Sequence, residues 1–436
     1  MRPSIEQKKL GGIVSVVNPR ARDLRNYRWL VFSVLALGYF LVYFHRLAPA
    51  VVAVDMMRDL AAGGTLMGIL AAAYFYPYAL MQLPAGLLAD SWGARRTITL
   101  FMILAACGSL LFALAPVAAW AVAGRSLVGL GVAMLFVSTL KVLTEWFAAS
   151  EFATMTGILF AIGGVGSLAS AGPLAWASSW FGWRMVFVVI AALTLLLAGL
   201  IWLLVRDRPE QLDMKRHWET LTEEEKLPLA EGVWRVLGCR DFWPLASWFF
   251  FLCAIFFSFG GLWGGPYLQQ IYGLDRSASG NLLSFLSVGM IFGSPFLTWL
   301  SSKVFVARKP VMVLCSLISL LLTLPLVFWT ASLSVPMLAL ICFGLGAFTS
   351  AVVVIGFAAT KELFPVSIAG TSVGLVNLFP FAGGAVMQPV LGGILEHGGR
   401  VNGFFTVSGY RAAFSVLFGC AVLALLSSLF VKEPAS

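Results

Sequence analysis

The sequence predicts an all-α polytopic membrane protein with twelve transmembrane helices in two six-helix, pseudo-symmetric halves. Three observations lead to this. Of the 436 residues, 60% are hydrophobic and 11% charged, against roughly 25% charged in an average soluble domain, so a water-soluble core could not absorb the apolar surface. Apolar stretches of about 20 residues, the length that crosses a bilayer, recur from Trp29 almost to the end of the chain. The basic residues behind the net charge of +9 are segregated by loop, which is the positive-inside pattern and not the one-faced cluster of a nucleic-acid binder.

The expected spans are 29–54, 65–89, 97–116, 119–143, 153–176 and 183–205, then 244–266, 277–300, 310–330, 335–359, 368–394 and 411–431. They divide the chain into an N-terminal tail (1–28), a first bundle (29–205), a central loop (206–243), a second bundle (244–431) and a C-terminal tail (432–436). With the N-terminus inside, the inner segments hold Arg20, Arg22, Arg25, Arg28, Arg95, Arg96, Arg206, Arg208 and Lys303 among others. The outer loops hold few, chiefly Arg58, Arg184, Arg276, Arg400 and Arg411. Both termini are therefore expected in the cytoplasm, with the protein in a bacterial inner membrane. The first span follows a basic tail and exceeds the core of a signal peptide, so it is expected to remain as a helix.

An ionisable side chain inside a span is costly and marks function by default. The first span carries His45 and Arg46, and the fourth carries Arg125 and Lys141; no Asp or Glu lies well inside any span. A wholly basic set favours an anion. At about 100° per residue, Tyr39, Tyr43 and Arg46 share one face of the first helix. A guanidinium binds carboxylate or phosphate through two parallel hydrogen bonds and keeps its charge; the bland alternative is snorkelling to the outer surface. His45, about 100° around from Arg46, faces either a neighbouring helix or a proton path. Lys141 lies toward the inner end of its helix, in the cavity or snorkelling to the cytoplasm. Arg125 is about 160° away around that helix, so the two cannot both point at one ligand.

The second span sets Tyr74, Tyr78 and Gln82 at four-residue steps, and the eleventh sets Asn377, Phe381, Gly384 and Gln388 on one stripe flanked by Pro380 and Pro389. Both stripes offer neutral donors and acceptors to a ligand. Gly157, Ala161, Gly164 and Ala171 give the fifth span a small-residue face for close packing. Trp263 and Tyr267, ending the seventh, either close the outer mouth or anchor at the interface. In the central loop, Thr222 and Glu225 have capping-box spacing for a surface helix. Five of the six cysteines fall within spans without C-x-x-C spacing, so neither a disulfide framework nor a metal site is indicated. No cofactor is implied.

The halves echo each other: Glu145-Trp-Phe147, Ser150, Thr154 and Gly157 are matched at constant offset by Glu362-Leu-Phe364, Ser367, Thr371 and Gly374. After the second span, Gly86-Leu-Leu-Ala-Asp90-Ser-Trp-Gly93-Ala-Arg95-Arg96 resembles the signature loop of the major facilitator superfamily, and Arg125-Ser-Leu-Val-Gly129-Leu-Gly131 resembles its second motif. The loop from Thr298 to Lys309 is a degenerate copy lacking the acid. The stretch Gly38 to Arg46 resembles the first helix of the organophosphate:phosphate antiporter family, which keeps a substrate-binding Arg at this point. That family's second Arg, in the seventh helix, is missing between Phe249 and Leu262, and Ser91 and Ala94 replace arginines of the signature loop.

The resemblance implies a major facilitator fold and secondary active transport by rocker-switch alternating access. In it Gly86, Asp90, Gly93, Arg95 and Arg96 form a cytoplasmic latch that holds the outward-facing state, and Arg125 supports the first helix and influences proton transfer; His45, from its place beside Arg46, is expected to serve coupling or helix contact. The expected cargo is a small organic anion, a carboxylate, bound by Arg46, Tyr39, Tyr43, Tyr74, Tyr78, Lys141, Asn377 and Gln388. Export of amphipathic drugs is the alternative within the superfamily, and a non-transporting membrane receptor the alternative outside it. Gly370-Thr-Ser372-Val-Gly374 matches a nucleophile elbow, but it lies in an apolar helix without the required strand, so no enzyme is expected. The partners expected are the anionic substrate, membrane lipid and a coupling proton, around a monomer that binds no nucleic acid.

Overall fold

The computed structural model describes residues 19–212, 229–365 and 368–432. The capping-box pair Thr222 and Glu225 and the repeat position Ser367 lie outside the described residues. The first crossing is α1 (Pro19–Leu47) continued by α2 (Pro49–Asp59), and Pro49, which has no amide hydrogen to donate, sits at the joint. The second combines α3 (Gly64–Ala72), α4 (Phe75–Leu80) and α5 (Gln82–Trp92), bent by 46° where α4 gives way to α5. Helices α6 (Ala94–Ala113), α7 (Ala118–Trp146) and α8 (Ala149–Ala169) follow. In α9 (Gly172–Leu204), Gly182 leaves helical geometry at φ 74° and ψ 153°, which separates the end of the fifth crossing from the sixth.

Beyond α10 (Leu229–Gly238), the seventh crossing is α11 (Phe242–Ser258) and α12 (Gly264–Tyr272), joined by a π-helical turn at Phe259–Trp263. Helices α13 (Arg276–Trp299) and α14 (Lys309–Phe328) are the eighth and ninth. The tenth is α15 (Val335–Leu345) with α16 (Val353–Leu363) across a second π-helical turn, Gly346–Ser350. The last two are α17 (Ala369–His397) and α18 (Val407–Phe430). Between them β1 (Arg400–Val401) and β2 (Phe404–Phe405) pair antiparallel.

Among the described residues ten helical runs are long and apolar enough to cross a membrane, or eleven with the bent second crossing. One run, Ser150–Leu204, has 55 residues; at about 1.5 Å per residue it exceeds twice the ~30 Å hydrocarbon thickness. It therefore holds two crossings, and the total is twelve. Apolar side chains such as Leu80, Phe292, Leu321 and Phe328 stand exposed on the perimeter, where lipid satisfies them.

The first six crossings meet the last six along α2 to α5, α8 and α9 on one side and α11 to α13 and α17 on the other. Contact is closest at the end of the bundle away from the chain termini. There the Asp55 carboxylate pairs with Arg276 at 2.5 Å, the Arg276 guanidinium donates to the Ser178 carbonyl at 2.6 Å, and Glu396 accepts from the Gly64 amide. Deeper in, Ser167 and Ser287 share a hydrogen bond of 2.7 Å and Tyr76 donates to the Ala385 carbonyl at 3.0 Å. Toward the termini contact between the halves thins: a side chain built at Gly157 would meet nothing within 4 Å, while one at Gly374 would just touch Leu83 at 3.6 Å. The molecule is thus closed at its far end and looser at the end that carries the termini.

Candidate functional site

Arg46 lies one residue before α1 ends, deep between the halves and only 5% exposed. Its guanidinium carbon sits 4.5 Å from the centroid of the Tyr43 ring, 5.1 Å from Tyr78, 4.9 Å from Phe381 and 5.9 Å from Phe257. These rings come from α1, α4, α17 and α11, so both halves contribute. Each such contact is worth roughly 0.5–2 kcal/mol, which eases burial without neutralising the charge. Among the described residues Arg46 makes no ion pair, and its Nε has no hydrogen-bond partner. A buried cation without a counter-ion is costly, and an incoming anion would relieve that cost. Burial of this depth does not agree with snorkelling.

The expected face of α1 is present as a ring ladder: Tyr43 meets Tyr39 edge to face at 5.2 Å, and Tyr39 stacks on Phe136 at 5.4 Å with Phe160 beside it. Tyr74 and Tyr78 stack at 5.6 Å, and Tyr78 meets Phe381 at 4.3 Å. The polar stripe of α17 is turned to holding helices together. Asn377 donates to Gln82 Oε1 at 2.8 Å across the halves, and Gln82 donates to the Tyr78 carbonyl at 3.0 Å. Gln388 donates to the Phe257 carbonyl at 2.8 Å while its Oε1 is buried without a partner. Trp263 and Tyr267 are fully buried and donate to the carbonyls of Gln388 and Thr330, so neither is a lipid-interface anchor.

Arg125 is buried and donates to the His45 carbonyl at 2.8 Å, with the Tyr74 ring 4.9 Å from its guanidinium carbon. That carbonyl lies in the last turn of α1, whose carbonyls lack intrahelical donors. The close fit rests on Gly129: a Cβ there would stand 2.0 Å from the Tyr74 carbonyl oxygen, so only glycine lets α7 approach the second crossing. The His45 ring is fully buried, and neither of its nitrogens has a partner.

At the termini end, the side chain of Asp90 lies outside the described residues, as does any environment for Gly86 beyond its place in α5. Gly93 turns the chain into α6 at φ +87°. Asp207, which the sequence reading did not single out, accepts from the Arg95 amide at 2.6 Å and thereby caps α6. The Arg95 side chain goes to the Trp202 carbonyl, at 2.8 Å from Nε, and lies over the Trp202 ring at 4.3 Å; Arg96 is exposed. Lys141 donates to the Ala89 carbonyl at 2.9 Å, at this end of the molecule and away from the Arg46 box. Of the two positions the sequence leaves open for Lys141, the side chain takes the one toward the end of its helix near the termini. On the small face of the fifth crossing, Gly164 packs on Ile291 of the other half, whereas Gly157 faces open space.

Two features carry little signal in the sequence: the ion pair of Asp55 with Arg276, and the closing of Phe75 and Phe257 onto Phe381 of the eleventh-span stripe, at 4.9–6.3 Å. The signal for the pair was weak: Asp55 stands one residue past its span and Arg276 one before.

Fold and site together define a polytopic helical membrane protein whose two six-crossing halves meet around a buried guanidinium that has no ion pair among the described residues. The family model of the Major Facilitator Superfamily matches residues 35–303 and 264–436, and the chain belongs to that superfamily. It is 24% identical over 436 residues to the hexuronate transporter of Escherichia coli K12, covering 94% of each chain. It is 23% identical over 432 residues to a probable sulfoacetate transporter of Cupriavidus necator, covering 93% of this chain and 94% of that one. A solved bacterial homologue of the human lysosomal transporter Spinster, inward-facing and unoccupied, superposes with a TM-score of 0.74 at 20% identity, covering 93% of this chain and 96% of that one.

Proposed function

We propose that this protein is a secondary active transporter that moves a small organic anion, a carboxylate, across the membrane by rocker-switch alternating access. The observation that carries the reading is Arg46: a permanently charged guanidinium, buried where the halves meet, ringed by side chains of both and without an ion pair among the described residues. A carboxylate supplies the missing counter-charge through two parallel hydrogen bonds. The relatives with near-full coverage support it, since their printed cargoes, hexuronate and sulfoacetate among them, are organic anions.

In this reading Tyr39, Tyr43, Tyr74 and Tyr78 line the first-half wall, and Asn377 and Gln388 hold the eleventh crossing in register with it. Arg125 fixes the end of α1 that aims Arg46, with His45 as the candidate proton carrier. Asp90, with Gly86, Gly93, Arg95 and Arg96, acts as the latch at the termini end. Placing the termini in the cytoplasm of a bacterial inner membrane, as loop charge favours, makes the described conformation inward-facing. The protein works as a monomer and catalyses no reaction. Reconstitution into proteoliposomes tests the reading: saturable entry of a labelled organic acid is expected, and binding without entry would favour the receptor alternative.

A further inference from the structure

We infer that the site selects a monocarboxylate with an apolar, ring-bearing body over a polyhydroxylated acid. The inference rests on the anion reading above and deepens it. One positive charge faces the box. Arg125 gives one N–H to the His45 carbonyl and lies over the Tyr74 ring, with its Nε and Nη2 unpartnered, and Lys141 lies at the Ala89 carbonyl, so among the described residues Arg46 is the cation that the Tyr43, Tyr78, Phe257 and Phe381 rings surround.

The walls are ring faces. Phe257 and Phe381 stack at 5.8 Å and are joined by Phe75, 4.9 Å from Phe257. Tyr78 packs directly on Phe381 at 4.3 Å and Tyr43 lies over the Arg46 guanidinium, with Tyr39, Phe136 and Phe160 continuing the surface along α1. Aromatic pairs prefer offset or edge-to-face arrangements with centroids 4.5–7 Å apart; these rings now pack on one another, and a planar guest would meet their faces as the halves part. The amides near the box are already engaged: Asn377 with Gln82, and Gln388 with the Phe257 carbonyl. The buried Oε1 of Gln388 is a free acceptor, enough for one hydroxyl. The tyrosine hydroxyls suit the carboxylate itself. A sugar acid would leave most of its hydroxyls dehydrated and unpaired, at a loss on the order of tenfold in affinity for each.

The test is a binding series on the full-length purified protein, by thermal shift and calorimetry, using phenylacetate, cyclohexanecarboxylate, D-glucuronate, succinate and benzyl alcohol. Phenylacetate is expected to bind at least tenfold more tightly than glucuronate or succinate, with cyclohexanecarboxylate between and no response to benzyl alcohol. Phe381→Leu and Phe257→Leu, each checked for an unchanged ligand-free melting curve, should weaken phenylacetate several-fold. Glucuronate or succinate equal to or tighter than phenylacetate would overturn the inference and leave the anion reading standing. Benzyl alcohol binding as well as phenylacetate, or no response to any acid, would overturn the anion reading itself.

Discussion

Replacing Asp55 by Asn should open the far end of the molecule. Asp55 and Arg276 come from different halves, their side chains are 11% and 22% exposed, and the closest N···O distance is 2.5 Å. A hydrogen bond to a charged group is worth roughly 1.5–3 kcal/mol. Asn keeps the shape but removes the charge, and Arg276 retains its bond to the Ser178 carbonyl, so the loss falls at the low end of that range. In the opposite state the halves part and both groups are hydrated, so the substitution costs little there. The balance should therefore move about tenfold toward opening at the far end. A cysteine placed at Ser287, which is 1% exposed beneath this closure, reports the change by its rate of maleimide labelling once the exposed Cys107 has been replaced. A rate within threefold of the Asp55 parent, with the melting temperature preserved, would refute the idea that this pair holds the closure.

Two further substitutions test the supports of the site. Arg125→Ala removes the donor from the His45 carbonyl and leaves a buried oxygen unpaired, which should cost about 1–3 kcal/mol; a ligand-free melting temperature equal to the parent's would contradict that role. Asp207→Ala removes the acceptor at the Arg95 amide and should destabilise the cap of α6 by about 1 kcal/mol. Faster hydrogen exchange confined to the first turn of α6 is expected, and unchanged exchange there would show that Asp207 is not its cap.

The fold was legible in the sequence because bilayer physics leaves few choices: length and apolarity place the crossings, including the fifth and sixth, expected as separate spans and parted in the structure at Gly182 within one long helical run. The α1 face of Tyr39, Tyr43 and Arg46 was legible for the same reason, since helical periodicity alone puts them together. What periodicity cannot give is convergence between helices. Phe257 and Phe381 stand 211 and 335 positions beyond Arg46, and nothing local tells either that it faces a guanidinium. The same applies to Asp55 with Arg276 and to Asp207 at the start of α6. Lys141 shows the limit from the other side: its depth along α7 was readable, but its choice of the Ala89 carbonyl depends on how the second crossing bends.

The central claim is that Arg46 is the charge partner of an organic anion. Its most direct test is the dissociation constant of an organic acid for the parent, Arg46→Lys and Arg46→Ala proteins, each shown to fold by its melting curve. Lysine keeps the charge but loses the planar fork, and losing even one charge-assisted hydrogen bond should weaken binding about tenfold or more, with alanine weaker still. Parent-like affinity in either variant would contradict the account.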